Sequence, residues 1–201
     1  KGAVSPYGKI VQLAGGAVLM AVYFQFGGER GNESWLFRST DGGRTWGDPS
    51  LLGRHFNETA LAAFSGGRLV AAMRSEKGGH LAVIRSRDGG RTWTEPAVVT
   101  RDNEHPADLV ALSSGGLLLT YGVRVAPMGV HARTSRDGGV SWSDPAILAS
   151  DAPNRDCGYP SSVEIAPGKI LTVYYQVDDL GDAPRSARAK AIVWTPDPRP
   201  R

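Results

Sequence analysis

At 201 residues and 41% hydrophobic composition, the chain is long enough to bury the core of one domain. Its formal net charge of +3 comes without any run of basic residues, which argues against nucleic acid as a partner. No apolar segment approaches the ~20 residues that a membrane-spanning helix needs, and the single cysteine, Cys157, excludes an internal disulfide.

Four similar units follow one another along the chain. In each, a short apolar run meets a glycine turn and a second run, as in KIVQLAGGAVLMAVYF and SSVEIAPGKILTVYYQ. Runs of this length, rich in Val, Ile, Leu and Tyr, predict β-strands. No segment of helical length shows a 3.6-residue period. We therefore predict an all-β chain, a β-propeller of four-stranded antiparallel blades at about residues 5–50, 55–100, 104–150 and 156–197, in one domain.

Three of the units contain a repeated octapeptide: STDGGRTW, SRDGGRTW and SRDGGVSW. Asp hydrogen-bonds the backbone just ahead of it and the glycines accept a positive φ, so the octapeptide predicts a turn. The Trp returns as the next strand begins, where its ring can pack between blades. We assign a structural role to these residues: Asp41, Trp46, Asp88, Trp93, Asp137 and Trp142.

Antiparallel pairing fixes which features share an end of each blade. The octapeptide turn lies at one end, and the start of the first strand and the end of the second lie at the other. Alignment of the units on Gly16, Gly67, Gly116 and Gly168 predicts equivalent first-strand positions for Tyr7, Glu58, Ala107 and Tyr159. It predicts equivalent second-strand positions for Tyr23, Arg74, Val123 and Tyr175, with Arg124 one residue later. A ligand site is therefore expected at this end.

The octapeptide resembles the Asp box, or bacterial neuraminidase repeat. The segments FNETALAAFSGGRLVAAMR and GYPSSVEIAPGKILTVYY resemble two blades of bacterial-type exo-α-sialidases, which are six-bladed propellers. The resemblance implies that the chain holds the last four blades of six. Since the chain begins with Lys1 rather than Met, we expect further sequence upstream.

The resemblance also implies roles for four residues. Tyr159 falls at the place of the family's nucleophile and Glu58 at the place of its partner, which would act as the base. Arg74 and Arg124 fall at the places of two arginines that bind the substrate carboxylate. The implied reaction is retaining release of terminal sialic acid from glycoconjugates.

Two features of the family have no counterpart in the sequence: a further carboxylate-binding Arg and the Asp acid/base. The chain alone is therefore expected to lack full activity. No spacing of His, Cys or carboxylates matches a zinc or calcium motif, so no metal or other cofactor is expected. The family's substrates lie on outer surfaces, which implies a secreted or periplasmic location.

Two other functions stay open from the residues alone. One is another propeller glycosidase that acts on an acidic sugar with different acid/base residues, and the other is a non-catalytic Asp-box propeller that binds glycan or protein. Because an incomplete ring of blades leaves strand edges open, the sequence also predicts self-association through those edges.

Overall fold

A computed structural model describes residues 3–178 and 186–196. The first blade contains β1 (Ala3–Pro6), β2 (Val11–Gln12), β3 (Val18–Gln25), β4 (Asn32–Ser39) and β5 (Gly47–Arg54). The second contains β6 (Phe56–Ala63), β7 (Leu69–Ser75), β8 (Leu81–Ser86) and β9 (Ala97–Val98). The third contains β10 (Glu104–Ala111), β11 (Leu117–Val123), β12 (Gly129–Ser135) and β13 (Ala146–Ala149). The fourth contains β14 (Cys157–Ala166), β15 (Lys169–Asp178) and β16 (Ser186–Trp194).

Each blade is an antiparallel sheet whose strands pair mainly in chain order. The described residues hold no α-helix, only two short 3₁₀ turns at Gly28–Arg30 and Ser65–Gly67. The prediction of an all-β chain built from four propeller-type blades is confirmed. Two details differ from it. The inner strand of the first blade is split into β1 and β2, and the fourth blade has three strands within the described residues rather than four.

The chain forms two compact units, residues 1–102 and 103–201, each holding two blades. In the first unit, apolar side chains of the first two blades form one buried cluster: Leu19, Ala21, Leu36, Leu52, Leu61, Leu69, Ala71, Met73 and Ile84. Trp93, which follows the second octapeptide turn, packs against this cluster. Burial of this apolar surface, at roughly 25 cal/mol per Å², is the main source of cohesion between the two blades.

In the second unit, a smaller buried cluster joins the third blade to the fourth. It consists of Leu118, Ala132 and Ile170, with Trp194 packed against it. A polar contact runs beside it, since the hydroxyls of Thr120 and Ser162 lie 2.9 Å apart. Alternation along a strand explains the pattern, because every second residue of β11 and β15 points into this junction.

Candidate functional site

The octapeptide turns, hereafter Asp boxes, use their carboxylates locally. Asp41 accepts hydrogen bonds from Thr45 N at 2.9 Å, Thr45 Oγ1 at 2.6 Å and Ser39 Oγ at 2.7 Å. Bonds of the same kind surround Asp88 and Asp137. The bonds from Thr45, then from Ser39, lower the pKa of Asp41 to about 2. Each carboxylate is therefore engaged in closing its own turn.

The box tryptophans differ in their hydrogen bonding. Trp46 donates to the carbonyl of Gly43 and Trp93 to that of Gly90, each at 3.0 Å. The indole nitrogen of Trp142 is buried without a hydrogen-bond partner. The third box is thus the least completely bonded of the three at this position.

Strand register places the boxes at one end of the blade and the candidate residues at the other. In the second blade Ser86, which begins the box, is opposite Leu69 at the start of β7. Arg74, near the end of β7, is opposite Leu81. In the third blade Ser135 is likewise opposite Leu117, at the start of β11. The topological argument from antiparallel pairing is correct for both blades.

Glu58 and Arg74 form an ion pair at the end of the second blade away from the box. Arg74 Nη1 lies 2.7 Å from Glu58 Oε2, and the two side chains are only 26% and 11% exposed. A β-bulge at this point sets Asn57 and Glu58 of β6 opposite a single residue of β7. The Asn57 side chain accepts a 2.7 Å hydrogen bond from the Glu58 backbone N–H. Bulges re-aim side chains, and this one turns the Glu58 carboxylate to Arg74.

Arg124 and Tyr159 come together in the second unit. The Arg124 guanidinium lies 5.5 Å from the centre of the Tyr159 ring, within cation–π range. The Arg124 backbone N–H donates to the Asn103 carbonyl at 2.9 Å, which fixes the chain where β11 ends. Tyr159 has a φ of +48° inside β14, a left-handed conformation that costs a residue other than glycine of the order of 1–3 kcal/mol. Such strain is concentrated at functional positions in proteins.

Tyr175 lies next to Tyr159, and the sequence assigns it no chemical role. The ring of Tyr175 lies 5.8 Å from that of Tyr159, at an interplanar angle of 37°. Its hydroxyl donates to Asp156 Oδ1 at 2.6 Å. Burial, followed by this hydrogen bond, raises the pKa of the Tyr175 phenol. The position of Tyr175 at the end of β15 was the only signal in the sequence, since Asp156 lies in a loop among other polar residues.

The alignment of the third blade is wrong by one residue. The turn glycines Gly16, Gly67 and Gly168 all have a left-handed φ, and in the third blade Gly115 has one rather than Gly116. The positions equivalent to Glu58 and Arg74 are therefore Pro106 and Gly122, not Ala107 and Val123. A second glycine, Gly116, follows Gly115 at the place that Arg68 takes after Gly67, and aligning Gly116 with Gly67 shifted the count by one. Arg124 thus stands two residues beyond its equivalent strand position.

A cleft of about 400 Å³ opens at the Asp-box end of the first unit. Arg38, Asp48, Asp88 and Arg91 are among its lining residues. These charges already bind one another, since Arg91 lies 3.0 Å from Asp48 and Arg38 lies 3.8 Å from the same carboxylate. The cleft is separate from Glu58 and Arg74, at the other end of the blade.

Within residues 3–178 and 186–196, no group of three or more His, Cys, Asp or Glu side chains is arranged to hold a metal ion. The same part of the chain contains no helix that is long and apolar enough to cross a membrane.

Residues 5–171 match the model of the BNR repeat-like domain. The chain belongs to the BNR repeat-like domain family. This agrees with the three Asp boxes and their position at the turn between the third and fourth strands of a blade. A comparison with curated proteins gives no significant match.

Solved structures share the fold of this BNR repeat-like chain. A protein of unknown function from Dyadobacter fermentans is 25% identical over 94% of the chain and 53% of its own, with a TM-score of 0.77. The Hadza microbial sialidase Hz136 is 24% identical over 85% of the chain and 35% of its own, with a TM-score of 0.63. Penicillium chrysogenum α-L-arabinanase, solved with arabinobiose, is 17% identical over 96% and 63%, with a TM-score of 0.69.

The BNR repeat-like chain spans between about a third and two thirds of these structures. It therefore has the fold of part of a propeller of the kind found in glycoside hydrolases. The likeness is similar for a sialidase and for an arabinanase, so the fold does not separate the two activities.

Proposed function

We propose that the BNR repeat-like chain is part of a retaining glycosidase that releases a terminal acidic sugar, with sialic acid as the substrate. Tyr159 is the nucleophile, Glu58 its base, and Arg74 and Arg124 bind the substrate carboxylate. The observation that carries the proposal is the strained backbone of Tyr159 beneath the Arg124 guanidinium. A tyrosine held in this way has a reason to be there other than packing.

The choice of tyrosine follows from charge. A sialic acid carries a carboxylate on its anomeric carbon, which would repel a carboxylate nucleophile but not a neutral phenol. The phenol has an ordinary pKa near 10, so a base must take its proton and a cation must stabilise its anion. Arg124, 5.5 Å from the Tyr159 ring, is such a cation.

In the proposed reaction the Tyr159 oxygen bonds to the anomeric carbon as the glycosidic bond breaks. The phenolic proton passes to Glu58, and the leaving alcohol takes a proton from an acid outside the residues assigned here. Water then loses a proton to the conjugate base of that acid and attacks the anomeric carbon, and the bond from this carbon to the Tyr159 oxygen breaks. The sugar leaves with retained configuration, and Glu58 returns its proton to the phenolate. Arginine suits the carboxylate because its planar donors fit two oxygens and stay charged at any working pH.

The Glu58–Arg74 pair bears on how the substrate is held. At 2.7 Å, the carboxylate of Glu58 occupies part of the donor set of Arg74. Arg74 keeps further N–H groups for a substrate, because guanidinium carries five donors. The ion pair thereby orients Arg74 while leaving it able to bind an anion.

A fluorogenic sialoside tests the proposal on the full-length protein, with the variants Tyr159→Phe and Glu58→Ala. We expect each to lower kcat by at least about a hundredfold, the scale of general acid–base catalysis. Their combination should cost little more than Tyr159→Phe alone, because residues that act as a unit are not additive. Wild-type turnover in both single variants would eliminate the nucleophile assignment.

A non-catalytic glycan-binding role is the second candidate, and the Tyr159–Tyr175 contact favours it. Adjacent aromatic rings give a sugar an apolar surface on which to pack. Calorimetry with sialyllactose and with arabinobiose measures binding, and comparison with turnover separates the two functions. Binding of a glycan without turnover of the matching fluorogenic glycoside supports the second candidate.

A further inference from the structure

The cleft at the Asp-box end of the first unit lies between the first two blades. Its volume is about 400 Å³, a size found among sites for small molecules. Its lining comes from the turn between β2 and β3, with Leu13 and Ala17, and from the first and second Asp boxes with their flanking residues. All of these residues belong to the first unit, so the cleft is a feature of that unit by itself.

Contacts between the two blades hold the walls of the cleft in place. Arg38, only 8% exposed, donates from the first blade to the carbonyls of Gly89 and Gly90 in the second Asp box. In the opposite direction, the guanidinium of Arg91 in the second box lies 3.0 Å from the carboxylate of Asp48 in the first blade. Because these contacts fix both walls, the cleft has a definite shape before a ligand enters, which lowers the ordering cost of binding.

The first Asp box differs from the other two at positions that line the cleft. Thr40 stands where the second and third boxes have arginine, and Gly47 stands where they have Thr94 and Ser143. A Cβ at Gly47 would meet no atom of the described residues within 4 Å. The smaller residues of the first box therefore leave space at the cleft that the other two boxes would fill with side chains.

The backbone of Asp48, which follows Gly47, is also particular to the first box. Asp48 has a left-handed φ of +46°, whereas its equivalents Glu95 and Asp144, both among the described residues, are not left-handed. Strain of this kind is concentrated at ligand-binding and catalytic positions. In this conformation the Asp48 carboxylate lies 3.0 Å from Arg91 and 3.8 Å from Arg38, at the wall of the cleft.

The charges of the cleft cancel. Among the described residues that line it, Arg38 and Arg91 are positive and Asp48 and Asp88 are negative. A ligand with a net charge of either sign would be repelled by two of these four groups. The groups still offer many hydrogen bonds, because a guanidinium carries five donors and a carboxylate about four acceptor sites. The lining therefore suits a neutral ligand that is rich in hydroxyl groups.

We propose that this cleft binds a neutral sugar residue, as a second glycan site that contains none of the residues of the proposed catalytic group. The hydroxyls of the sugar bond to the Arg91–Asp48 pair, and Leu13 and Ala17 offer apolar surface to its C–H groups. The site does not depend on the release of sialic acid by Tyr159.

Two substitutions disturb the cleft with side chains that the other Asp boxes already contain, so the turn is expected to fold. Gly47→Thr introduces the residue of the second box and fills space, and Arg91→Val introduces the residue of the third box and removes donors. Each should weaken sugar binding at least about tenfold. Arg44→Val is the matched control, because Arg44 holds the position of Arg91 in the first box and lies outside the lining. It should bind within about twofold of the wild type.

Saturation-transfer NMR on the full-length protein measures the binding of three neutral probes, the methyl glycosides of galactose, glucose and arabinose. We expect a dissociation constant in the millimolar range for at least one of them. Circular dichroism establishes that the variants are folded, and all three should keep the sialoside turnover of the wild type. Absence of saturation transfer to every probe overturns the proposal. Equal affinity in the wild type, Gly47→Thr and Arg91→Val also overturns it, because the sugar then binds elsewhere.

Discussion

Glu58 and Arg74 in the second blade occupy the same two strand positions as Tyr159 and Tyr175 in the fourth. Each pair stands nine residues before and seven residues after a left-handed turn glycine, Gly67 or Gly168. One blade uses these positions for an ion pair and the other for a contact between two rings. The blade framework thus presents different side-chain chemistry at the same strand positions.

The Glu58–Arg74 pair is expected to stabilise the first unit. A double-mutant cycle of Glu58→Gln and Arg74→Met should give a coupling of about 0.5–3 kcal/mol in the free energy of unfolding, measured with urea. The exposed pair Arg91–Asp48, with side chains 63% and 54% exposed, is the control. Its coupling should stay below about 1 kcal/mol. Equal coupling in the two cycles would show that burial gives the Glu58 pair no advantage.

Gly90 in the second Asp box should not tolerate a side chain. A Cβ there would lie 2.5 Å from Leu36 Cδ2 and 3.0 Å from Leu69 Cδ1, on a backbone with φ of +83°. Gly43 occupies the same place in the first box at a φ of +87°, but its nearest neighbour would be Trp46 Cζ2 at 3.6 Å. Because both glycines have a left-handed backbone, the comparison separates the steric crowding of the new Cβ from backbone strain. We expect Gly90→Ala to cost about 1–3 kcal/mol more than Gly43→Ala in urea unfolding. Similar costs would mean that the leucines move aside.

Arg38 should hold the first blade to the Asp box of the second. Its guanidinium donates to the carbonyls of Gly89 and Gly90 at 3.2 and 2.6 Å, and to Ser50 Oγ at 3.0 Å. Arg38→Leu leaves these acceptors without their donor, and should cost about 1–3 kcal/mol of stability. Arg44→Leu is the control, because Arg44 is exposed and, among the described residues, donates within its own turn, to the Asp41 carbonyl. That change should stay within about 0.5 kcal/mol, and a larger effect there than at Arg38 would contradict the assignment.

Tyr175 should ionise later than the other tyrosines on alkaline titration. Burial and the bond to Asp156 raise its pKa, so the folded state favours the neutral phenol. The stabilisation is fully present below the ordinary pKa of 10 and is lost as the pH rises above it. Tyrosinate absorbance should show a late-titrating group that Tyr175→Phe removes and Asp156→Asn shifts to lower pH. An unchanged late phase in Asp156→Asn would assign the whole shift to burial.

Acid should weaken the Asp boxes only at very low pH. The hydrogen bonds from Thr45 and Ser39 lower the pKa of Asp41 to about 2, and similar bonds lower the pKa values of Asp88 and Asp137. Their stabilisation is present above the ordinary Asp pKa of 3.8 and is lost as the pH falls through the lowered values. The gap in Tm between the wild type and the triple Asp→Asn variant should therefore narrow below about pH 4. A Tm difference that does not change with pH would show that the charge of the carboxylates does not stabilise the boxes.

Much of the fold could be predicted from the sequence because its signals are local. The alternation of Val, Ile and Leu runs with glycine turns predicts the strands, and the spacing of the Asp boxes predicts the repeat. Antiparallel pairing then places boxes and strand entries at opposite ends without any coordinates. The positions of Glu58 and Tyr159 at strand entries follow in the same way.

Other features depended on contacts between distant segments. The left-handed backbone of Tyr159, the Asp156–Tyr175 bond and the one-residue shift at Gly115 follow from how each strand pairs, which a pattern of residue types does not specify. A repeat in the sequence determines what kind of blade forms, since each residue's polarity and turn preference act over a few neighbours. Only tertiary structure decides which faces are buried against a neighbouring blade and which stay exposed, because burial depends on the surface that packs opposite.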